Sequence, residues 1–350
     1  MDETLPPGSR LPTEKQLSRS LEVGQVTLRS ALSRLEAEGL VERIRSKGTF
    51  VSNRSKRRIF MLIQPDGTEN LETPSRYIAH GLEEAAEKRS VTLEICPESL
   101  FLSFSGGERQ TIIRSHSISG IVLETGHRKV AAQMIEALKE LALPVVIPHG
   151  LSCDADDTGF LVLRTDEKSY FRQAYEYLAG KGHRNIASLF LMLGGETPDK
   201  FREFSRDELI SFLSAPQFGN SRSLVAAVEN RQELICQQIR QWFSLAEPPT
   251  AILCHSDRVA MRVYAVLHEM GLRIPEDVSV MGYSNFPGSQ FLLPPLTTID
   301  TRLKNCAALA LEKLLESGSG CTFGQKEIFT PCSFIERASV KDLNGRESAV

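Results

Sequence analysis

The sequence predicts an α/β protein in which a winged helix-turn-helix head precedes two doubly wound α/β lobes. Three observations lead to this prediction. The chain of 350 residues is too long for one ordinary hydrophobic core. Its first 52 residues follow the pattern of two short helices and a small hairpin. From residue 59 onward, apolar strand-like runs alternate with helical stretches, which is typical of parallel sheets covered by helices.

The head begins with a helix start at Thr13, which has the spacing of a capping box with Gln16. A second helix is predicted over residues 25–38, with Gly39 as its end. Extended pieces at 40–44 and 49–51 then form a hairpin through a basic turn. The predicted head therefore covers residues 1–52, and a basic linker covers 53–58.

The body is predicted over residues 59–337, with a C-terminal tail at 338–350. The predicted strands are 59–63, 91–95, 120–123, 144–147, 160–163, 186–191, 224–228, 251–254 and 278–281. The predicted helices are 76–89, 130–141, 170–180, 206–213, 232–243 and 259–271. This number of alternating elements suits two lobes with a ligand cleft between them, at the carboxyl ends of the strands.

Charge is distributed unevenly along the chain. Residues 1–58 hold 12 lysines and arginines against 7 acids, whereas the remainder holds 29 against 37. A basic head on an acidic body indicates a nucleic-acid binder. The seven cysteines are scattered without a C-x-x-C pair, which favours reduced thiols and no metal site. Because neither a signal peptide nor a membrane-spanning run is present, a cytoplasmic protein without membrane association is expected.

Residues that could contact DNA lie around the first turn of the second head helix. Gln25 could pair with adenine and Arg29 with guanine, while Thr27 could contact a thymine methyl group. The hairpin adds two cations at its turn, Arg45 and Lys47. Each residue alone could be an ordinary exposed position. Together, within a basic head, they favour binding to a double-stranded DNA operator.

Three segments of the head resemble the gluconate-repressor (GntR) family: residues 8–14, 27–41 and 47–51. The resemblance implies DNA contacts from Arg10, Lys15, Thr27 and Arg29, and a wing that reaches the minor groove. At Gly24 and Gln25 the chain departs from the family pattern of Ser or Thr followed by Arg. The family also has a helix before its Pro-Gly element, for which residues 1–6 are too short. A loosely folded head is therefore expected for the sequence as written.

The body resembles the effector domain of the lactose-repressor (LacI/GalR) family, which is itself similar to periplasmic sugar-binding proteins. The motifs that carry this resemblance are residues 182–187, 256–260, 271–283 and 294–299. A head of the first family on a body of the second resembles the arabinose-repressor type of regulator. The resemblance implies a homodimer that binds an operator and responds to a small-molecule effector, most readily a sugar or sugar derivative, without a cofactor.

Four residues occupy the effector-binding positions that this resemblance implies: Arg206, Ser256, Asp257 and Ser284. Asp257 and Arg206 suit contacts to hydroxyl or carboxylate groups. Relatives have Asn and an acid where this chain has Ser256 and Ser284, so the ligand is unusual or its binding is weakened. Asp257 could instead cap the following helix. For Asp166, capping and cleft lining stay equally open, and His255 is expected to be a hydrogen-bonded structural residue.

Competing functions remain at this point. No nucleotide-binding loop, nucleophile elbow or metal-ligand spacing indicates an enzyme. A solute-binding protein would share the body but not the basic head. A third alternative is a regulator whose body only dimerises, which the serines at 256 and 284 keep open. The sequence predicts a DNA-binding transcriptional regulator, most readily a repressor of carbohydrate-related genes.

Overall fold

The head is a small winged helix. The computed structural model of the chain describes residues 5, 8–37, 41–44, 47–51, 58–67, 74–192, 200–201, 203–317 and 323–347. Helices α1 (Glu14–Ser20) and α2 (Gln25–Ala37) precede an antiparallel hairpin of β1 (Val41–Ile44) and β2 (Gly48–Val51).

The predicted capping box is confirmed. Thr13 Oγ1 accepts from the Gln16 backbone N–H, and the Gln16 side chain accepts from the Thr13 N–H at 2.9 Å. The core of the head consists of Leu28, Leu32 and Val41, which are buried. The predicted helix end at 38–39 and the first residue of the hairpin, Leu40, lie outside the described residues.

Lobe 1 starts at β3, the first buried strand after the head. Its elements, in chain order, are β3 (Ile59–Gln64), α3 (Pro74–Lys88), β4 (Thr92–Pro97), α4 (Glu98–Ser103), α5 (Gly106–Ser115), β5 (Ile118–Leu123), α6 (Ala132–Lys139), β6 (Val145–Pro148), α7 (Ser152–Thr158) and β7 (Leu161–Arg164). Strands β3, β5, β6 and β7 are almost entirely buried because helices cover both faces of the sheet, whereas the edge strand β4 is largely accessible.

Lobe 2 repeats this architecture with fewer strands. Its elements are α8 (Glu167–Gly180), β8 (Ile186–Met192), β9 (Lys200–Phe201), β10 (Phe204–Ser205), α9 (Arg206–Phe212), β11 (Val225–Glu229), α10 (Gln232–Phe243), β12 (Ala251–Cys254), α11 (Asp257–Glu269) and β13 (Ser279–Met281). The central sheet is parallel, in the order β11-β8-β12-β13. Strands β9 and β10 form a separate short hairpin.

The chain then returns to lobe 1. After β14 (Thr298–Asp300), helix α12 (Leu303–Glu316) packs on α3, and β15 (Glu327–Phe329) joins the sheet of lobe 1. Close packing of the two helices requires Gly81 on α3, since a Cβ there would lie 2.8 Å from Lys304 Cα. The parallel sheet of lobe 1 has the order β15-β7-β6-β5-β3-β4. Strand β16 (Ser333–Ile335) pairs with β14 in a sheet of their own.

Residues near the C-terminus pack on lobe 2, although the sequence suggested a tail at 338–350. Ser339 is fully buried, and its backbone carbonyl accepts from the Val280 N–H at 2.9 Å. Its hydroxyl group donates to the Val280 carbonyl oxygen. Further along, the Leu343 N–H donates to the Lys181 carbonyl oxygen at 2.8 Å. We therefore assign residues 338–343 to lobe 2.

The last residue of the predicted linker, Arg58, is attached to lobe 1. Its guanidinium group donates to the carbonyl oxygen of Leu315, in the last turn of α12, at 2.7 Å. A cation at this position also interacts favourably with the negative end of the helix dipole. The rest of the linker, residues 53–57, lies outside the described residues.

The nine predicted strands and six predicted helices of the body are confirmed, with shifts of a few residues at their ends. Helices α4, α5, α7 and α12 and the short strands β9, β10 and β14–β16 were not predicted. Within the described part of the chain, no helix is long and apolar enough to cross a bilayer.

Candidate nucleic-acid interface and ligand-binding lobes

The first turn of α2 presents its polar side chains to solvent. Leu28 and Leu32 are buried against the rest of the head, so the opposite face of the helix is exposed. Gln25 and Thr27, in this first turn, are both exposed, although they point to different sides of the helix. Val26 is 83% exposed, which is unusual for an apolar side chain. Gln25, Val26 and Thr27 are therefore all accessible at the start of α2.

Arg29 is exposed on α2, where it is held by an acid from α1. Its Nε lies 2.8 Å from Glu14 Oε2. This hydrogen bond raises the pKa of Arg29 and lowers the pKa of Glu14. Arg43 of the wing lies 3.8 Å from the other oxygen of the same carboxylate. The pairing of Glu14 with Arg29 and Arg43 was not predicted from the sequence, although Glu14 directly follows the helix cap at Thr13.

Arg10 lies beside the wing. It forms a β-bridge with Phe50, and its guanidinium group lies against Gly48, where an added Cβ would be 3.0 Å from Arg10 Nε. Gly48 has a φ of 117°, which favours glycine at this turn. Lys15 and Lys47 are both exposed, on α1 and at the wing. Arg45 lies outside the described residues.

Ser256 and Ser284 are brought together at the carboxyl edge of lobe 2. Ser256 follows β12 and Ser284 follows β13, two neighbouring parallel strands. Ser256 is the N-cap of α11, and its hydroxyl accepts from the Val259 N–H at 3.3 Å. Ser284 is partly buried, with a φ of 107° and its N–H donating to the Ile299 carbonyl oxygen. Both hydroxyl groups therefore belong to one edge of the sheet.

Asp257 lies between these two serines, but it is fully buried. Its carboxylate accepts from the Phe286 N–H at 2.8 Å and from the hydroxyl groups of Ser289 and Thr298. Burial raises the pKa of Asp257, against the opposing effect of these hydrogen bonds. The helix cap is Ser256, so Asp257 is not the cap that the sequence left open.

Glycine at position 282 is required by this arrangement. A Cβ at Gly282 would overlap Asp257 Oδ1 and the Leu296 side chain. In addition, the Asp257 N–H donates to the Tyr283 carbonyl oxygen at 2.8 Å. Asp257 thus connects the start of α11 with the segment after β13. This position suits a residue that supports the two serines from inside the lobe.

Arg206 is not brought to the two serines. It is the first residue of α9, and its guanidinium group donates to the Val225 carbonyl oxygen at 3.1 Å. Val225 begins β11, which is separated from β12 by β8. The side chain thus binds backbone two strands away from Ser256.

Two other polar residues of the strand ends have structural roles. His255 is buried, and its Nδ1 accepts from the Leu191 N–H at 3.2 Å, as expected for a structural histidine. Asp166 is the N-cap of α8, where its carboxylate accepts from the Ser169 N–H at 3.1 Å. The capping interpretation of Asp166 is therefore confirmed.

A polar site at the carboxyl end of β5 in lobe 1 was not predicted from the sequence. Glu124 and Thr125 directly follow this strand and are buried. Glu124 Oε1 accepts from the Gly126 N–H at 2.8 Å. Thr125 Oγ1 has no hydrogen-bonding partner among the described residues. Burial raises the pKa of Glu124, against the opposing effects of a side-chain hydrogen bond with Ser75 and of the nearby charge of Arg128. The rule that places ligands at strand ends, applied to lobe 1, could have identified both residues.

A cluster of buried titratable side chains continues along the same edge of lobe 1. The rings of His127 and His149 stack with centroids 4.4 Å apart. His127 Nδ1 lies 3.0 Å from the His149 carbonyl oxygen, which only accepts, so Nδ1 donates the hydrogen bond. His127 Nε2 lies 3.5 Å from Glu167 Oε1 at the start of α8. Because α8 begins lobe 2, this contact lies where the chain passes from one lobe to the other.

A winged-helix head with an exposed second helix, joined to two α/β lobes, has the architecture of DNA-binding transcription regulators that carry a ligand-sensing body. Comparison with protein families agrees with this class. Residues 1–51 match the bacterial regulatory proteins of the gntR family. Residues 175–340 match the periplasmic binding protein-like domain family. The chain joins a gntR-type head to a periplasmic-binding-protein-like body.

Two relatives are transcriptional repressors by name. The arabinose metabolism transcriptional repressor of Geobacillus stearothermophilus is 25% identical over 96% of this chain and 93% of its own length. The "Probable HTH-type transcriptional repressor ExuR" of Bacillus subtilis is also 25% identical, over 64% of this chain and 65% of its own length. The matched region therefore covers slightly less than two thirds of the second relative.

Solved structures share the fold. A LacI-family transcriptional regulator from Rhizobium etli superimposes with a TM-score of 0.65 and 21% identity, covering 81% of this chain and 99% of its own. The lac repressor dimer bound to operator and the anti-inducer ONPF gives a TM-score of 0.61 and 18% identity, covering 82% and 96%.

Proposed function

We propose that this protein is a sequence-specific transcriptional repressor of carbohydrate-related genes, controlled by a small polar effector. One observation carries the proposal: the exposed side chains of Gln25, Thr27 and Arg29, at the start of α2, belong to a gntR-type head on a two-lobed body. The names of the two relatives support repression, and the arabinose repressor supports the link to sugars.

For DNA recognition, the first turn of α2 contacts base edges in the major groove. Arg29 leaves Glu14 and pairs with guanine, Gln25 pairs with adenine, and Thr27 contacts a thymine methyl group. Arg10 and Lys15 hold phosphates, while Arg45 and Lys47 bring the wing to the minor groove. Phosphate contacts fix the register of the head, and base contacts supply the discrimination.

The experiment begins with selection of duplexes from a random pool, followed by fluorescence anisotropy on the selected operator. We expect Arg29→Ala to weaken operator binding by roughly tenfold to a hundredfold and to relax preference at one base pair. Lys15→Ala should weaken all duplexes alike and reduce the salt dependence by about one counterion. The matched control is Lys139→Ala, which removes an exposed cation from the body. Unchanged affinity and selectivity in Arg29→Ala would refute the recognition-helix assignment.

For effector binding, we propose a site between the lobes that includes Ser256 and Ser284 at the carboxyl edge of lobe 2. Asp257 acts as a positioning residue that supports the two serines. Arg206 could contact the effector only after its hydrogen bond to the Val225 carbonyl oxygen is broken. Closure of the lobes on the effector would change the spacing of the two heads on DNA, with a coupling free energy of about 1–3 kcal/mol.

A melting-temperature screen with sugars, sugar acids and polyols tests this site. If none shifts the melting temperature, the alternative of a body that only dimerises is favoured.

A homodimer is proposed as the DNA-binding form. Two apolar side chains of the segment after β13, Phe291 and Leu293, are 76% and 90% exposed. Exposed apolar side chains of this size mark interaction surfaces, and operators with two half-sites require two heads. The lac repressor in the operator complex is a dimer by its title. Leu293→Lys should therefore give monomers in analytical ultracentrifugation, with Leu245→Lys, at another exposed leucine, as the control.

We further propose that the protein is not an enzyme and acts in the cytoplasm. Its relatives are named as regulators. The solute-binding alternative is disfavoured because it gives the gntR-type head no role.

A further inference from the structure

One carboxylate of lobe 2 is bound by lobe 1. Glu203 lies at the turn between β9 and β10, in the short hairpin that leads into α9 of lobe 2. Its Oε1 accepts from the Ser152 N–H at 2.8 Å, and its Oε2 lies 3.1 Å from Arg164 Nη1. Ser152 begins α7 and Arg164 ends β7, so both donors belong to lobe 1. Glu203 therefore links the two lobes through both of its carboxylate oxygens.

The ion pair in this link is largely shielded from water. The side chains of Arg164 and Glu203 are only 13% and 9% exposed. Hydrogen bonds between charged groups are stronger than those between neutral groups, and salt screens a shielded pair much less than an exposed one. The link is therefore stronger than an exposed surface ion pair, whose net contribution is small.

Lobe 1 holds its two donors in place. Arg164 Nε donates to Glu327 of β15 at 2.7 Å, and Arg164 Cζ lies 4.3 Å from the centroid of the Phe329 ring. The Ser152 N–H belongs to the first turn of α7, where backbone N–H groups have no partner within the helix. Movement of lobe 2 away from lobe 1 would therefore leave both donors where they are and remove their acceptor.

The link is separate from the three segments in which the chain passes from one lobe to the other. These segments are residues 165–166, 301–302 and 330–332, and Glu203 lies on none of them. We propose that Glu203 is a positioning residue that acts as an interlobe latch, and that its loss shifts the lobes toward a more open arrangement. The latch consists only of groups of this chain, so it acts whether or not an effector is bound, and it does not depend on DNA binding.

Two measurements on the full-length protein test the latch. Amide hydrogen exchange reports on the Ser152 N–H, and small-angle X-ray scattering reports on the separation of the lobes. In Glu203→Ala, exchange at Ser152 should be at least tenfold faster, and the radius of gyration should be larger than in the wild type. Glu203→Gln keeps an acceptor for the Ser152 N–H but removes the charge that pairs with Arg164, so it should cause smaller changes in the same direction.

Glu327→Ala is the matched control, since it removes the other acid from the same arginine but breaks a contact within lobe 1. It should leave Ser152 exchange and the radius of gyration unchanged. The proposal is overturned if Glu203→Ala leaves either quantity at its wild-type value, or if Glu327→Ala changes both as much. If Glu203→Ala does not fold, the same criteria apply to Glu203→Gln. Loss of operator binding in the anisotropy experiment would refute the proposed function but not the latch.

Discussion

Glu124 in lobe 1 and Asp257 in lobe 2 are both buried acids at the carboxyl edge of a parallel sheet, yet their surroundings differ. Asp257 accepts hydrogen bonds from three groups of its own lobe. Glu124 accepts from the Gly126 N–H at 2.8 Å and has a side-chain hydrogen bond with Ser75, one hydrogen bond fewer than Asp257. Burial raises the pKa of both carboxyl groups. The comparison teaches that two acids with similar burial and a similar place at a strand end can differ in how firmly their own lobe holds them.

The largest effect is expected at Asp257. Asp257→Ala leaves the Phe286 N–H and two hydroxyl groups without their acceptor, which should cost about 3 kcal/mol of stability. Differential scanning calorimetry should show a melting temperature lower by several degrees. The control is Asp156→Ala, at an exposed acid on α7, with an expected change close to zero. A melting temperature equal to that of the control would contradict the structural role of Asp257.

A smaller effect is expected at Ser256. Ser256→Ala removes the cap of α11, at a cost of about 1 kcal/mol. Ser256→Asp restores a capping oxygen and should recover most of the loss. If Ser256→Ala instead abolishes effector binding at an unchanged melting temperature, ligand contact and not capping is the main role of this residue.

The smallest effect, of opposite sign, is expected at Glu124. A carboxyl group whose pKa is raised on folding contributes stability that is present below its unfolded pKa and is lost as the pH rises through its folded pKa. Glu124→Gln should therefore raise the melting temperature at pH 7 by roughly 2 °C. The difference from the wild type should vanish near pH 4, below the ordinary pKa of glutamate. A destabilised variant at pH 7 would show that the carboxylate is satisfied in the fold.

Much of the fold could be predicted because strands buried on both faces read as continuous apolar runs, as in β12 and β8. Helix α12 could not be placed, since nothing in residues 303–316 shows that the chain returns to lobe 1 and packs on Gly81 of α3. Ser256 and Ser284 were predicted from the resemblance to the lactose-repressor family, and the structure places them after neighbouring strands. The internal bonds of Asp257 did not, because two of its partners, Ser289 and Thr298, lie more than 30 residues away along the chain.

The ion pair between Arg29 and Glu14 has a consequence for how DNA is searched. Glu14 occupies the guanidinium group that would read a guanine, so the arginine is not freely offered to every phosphate it passes. In the base-reading role proposed for Arg29, a guanine would have to replace the carboxylate with two well-aligned acceptors, whereas a non-specific duplex would leave the pair intact. In that role Glu14 would compete with DNA for the guanidinium group. Removing it, as in Glu14→Gln, should increase binding to random duplexes more than binding to the operator.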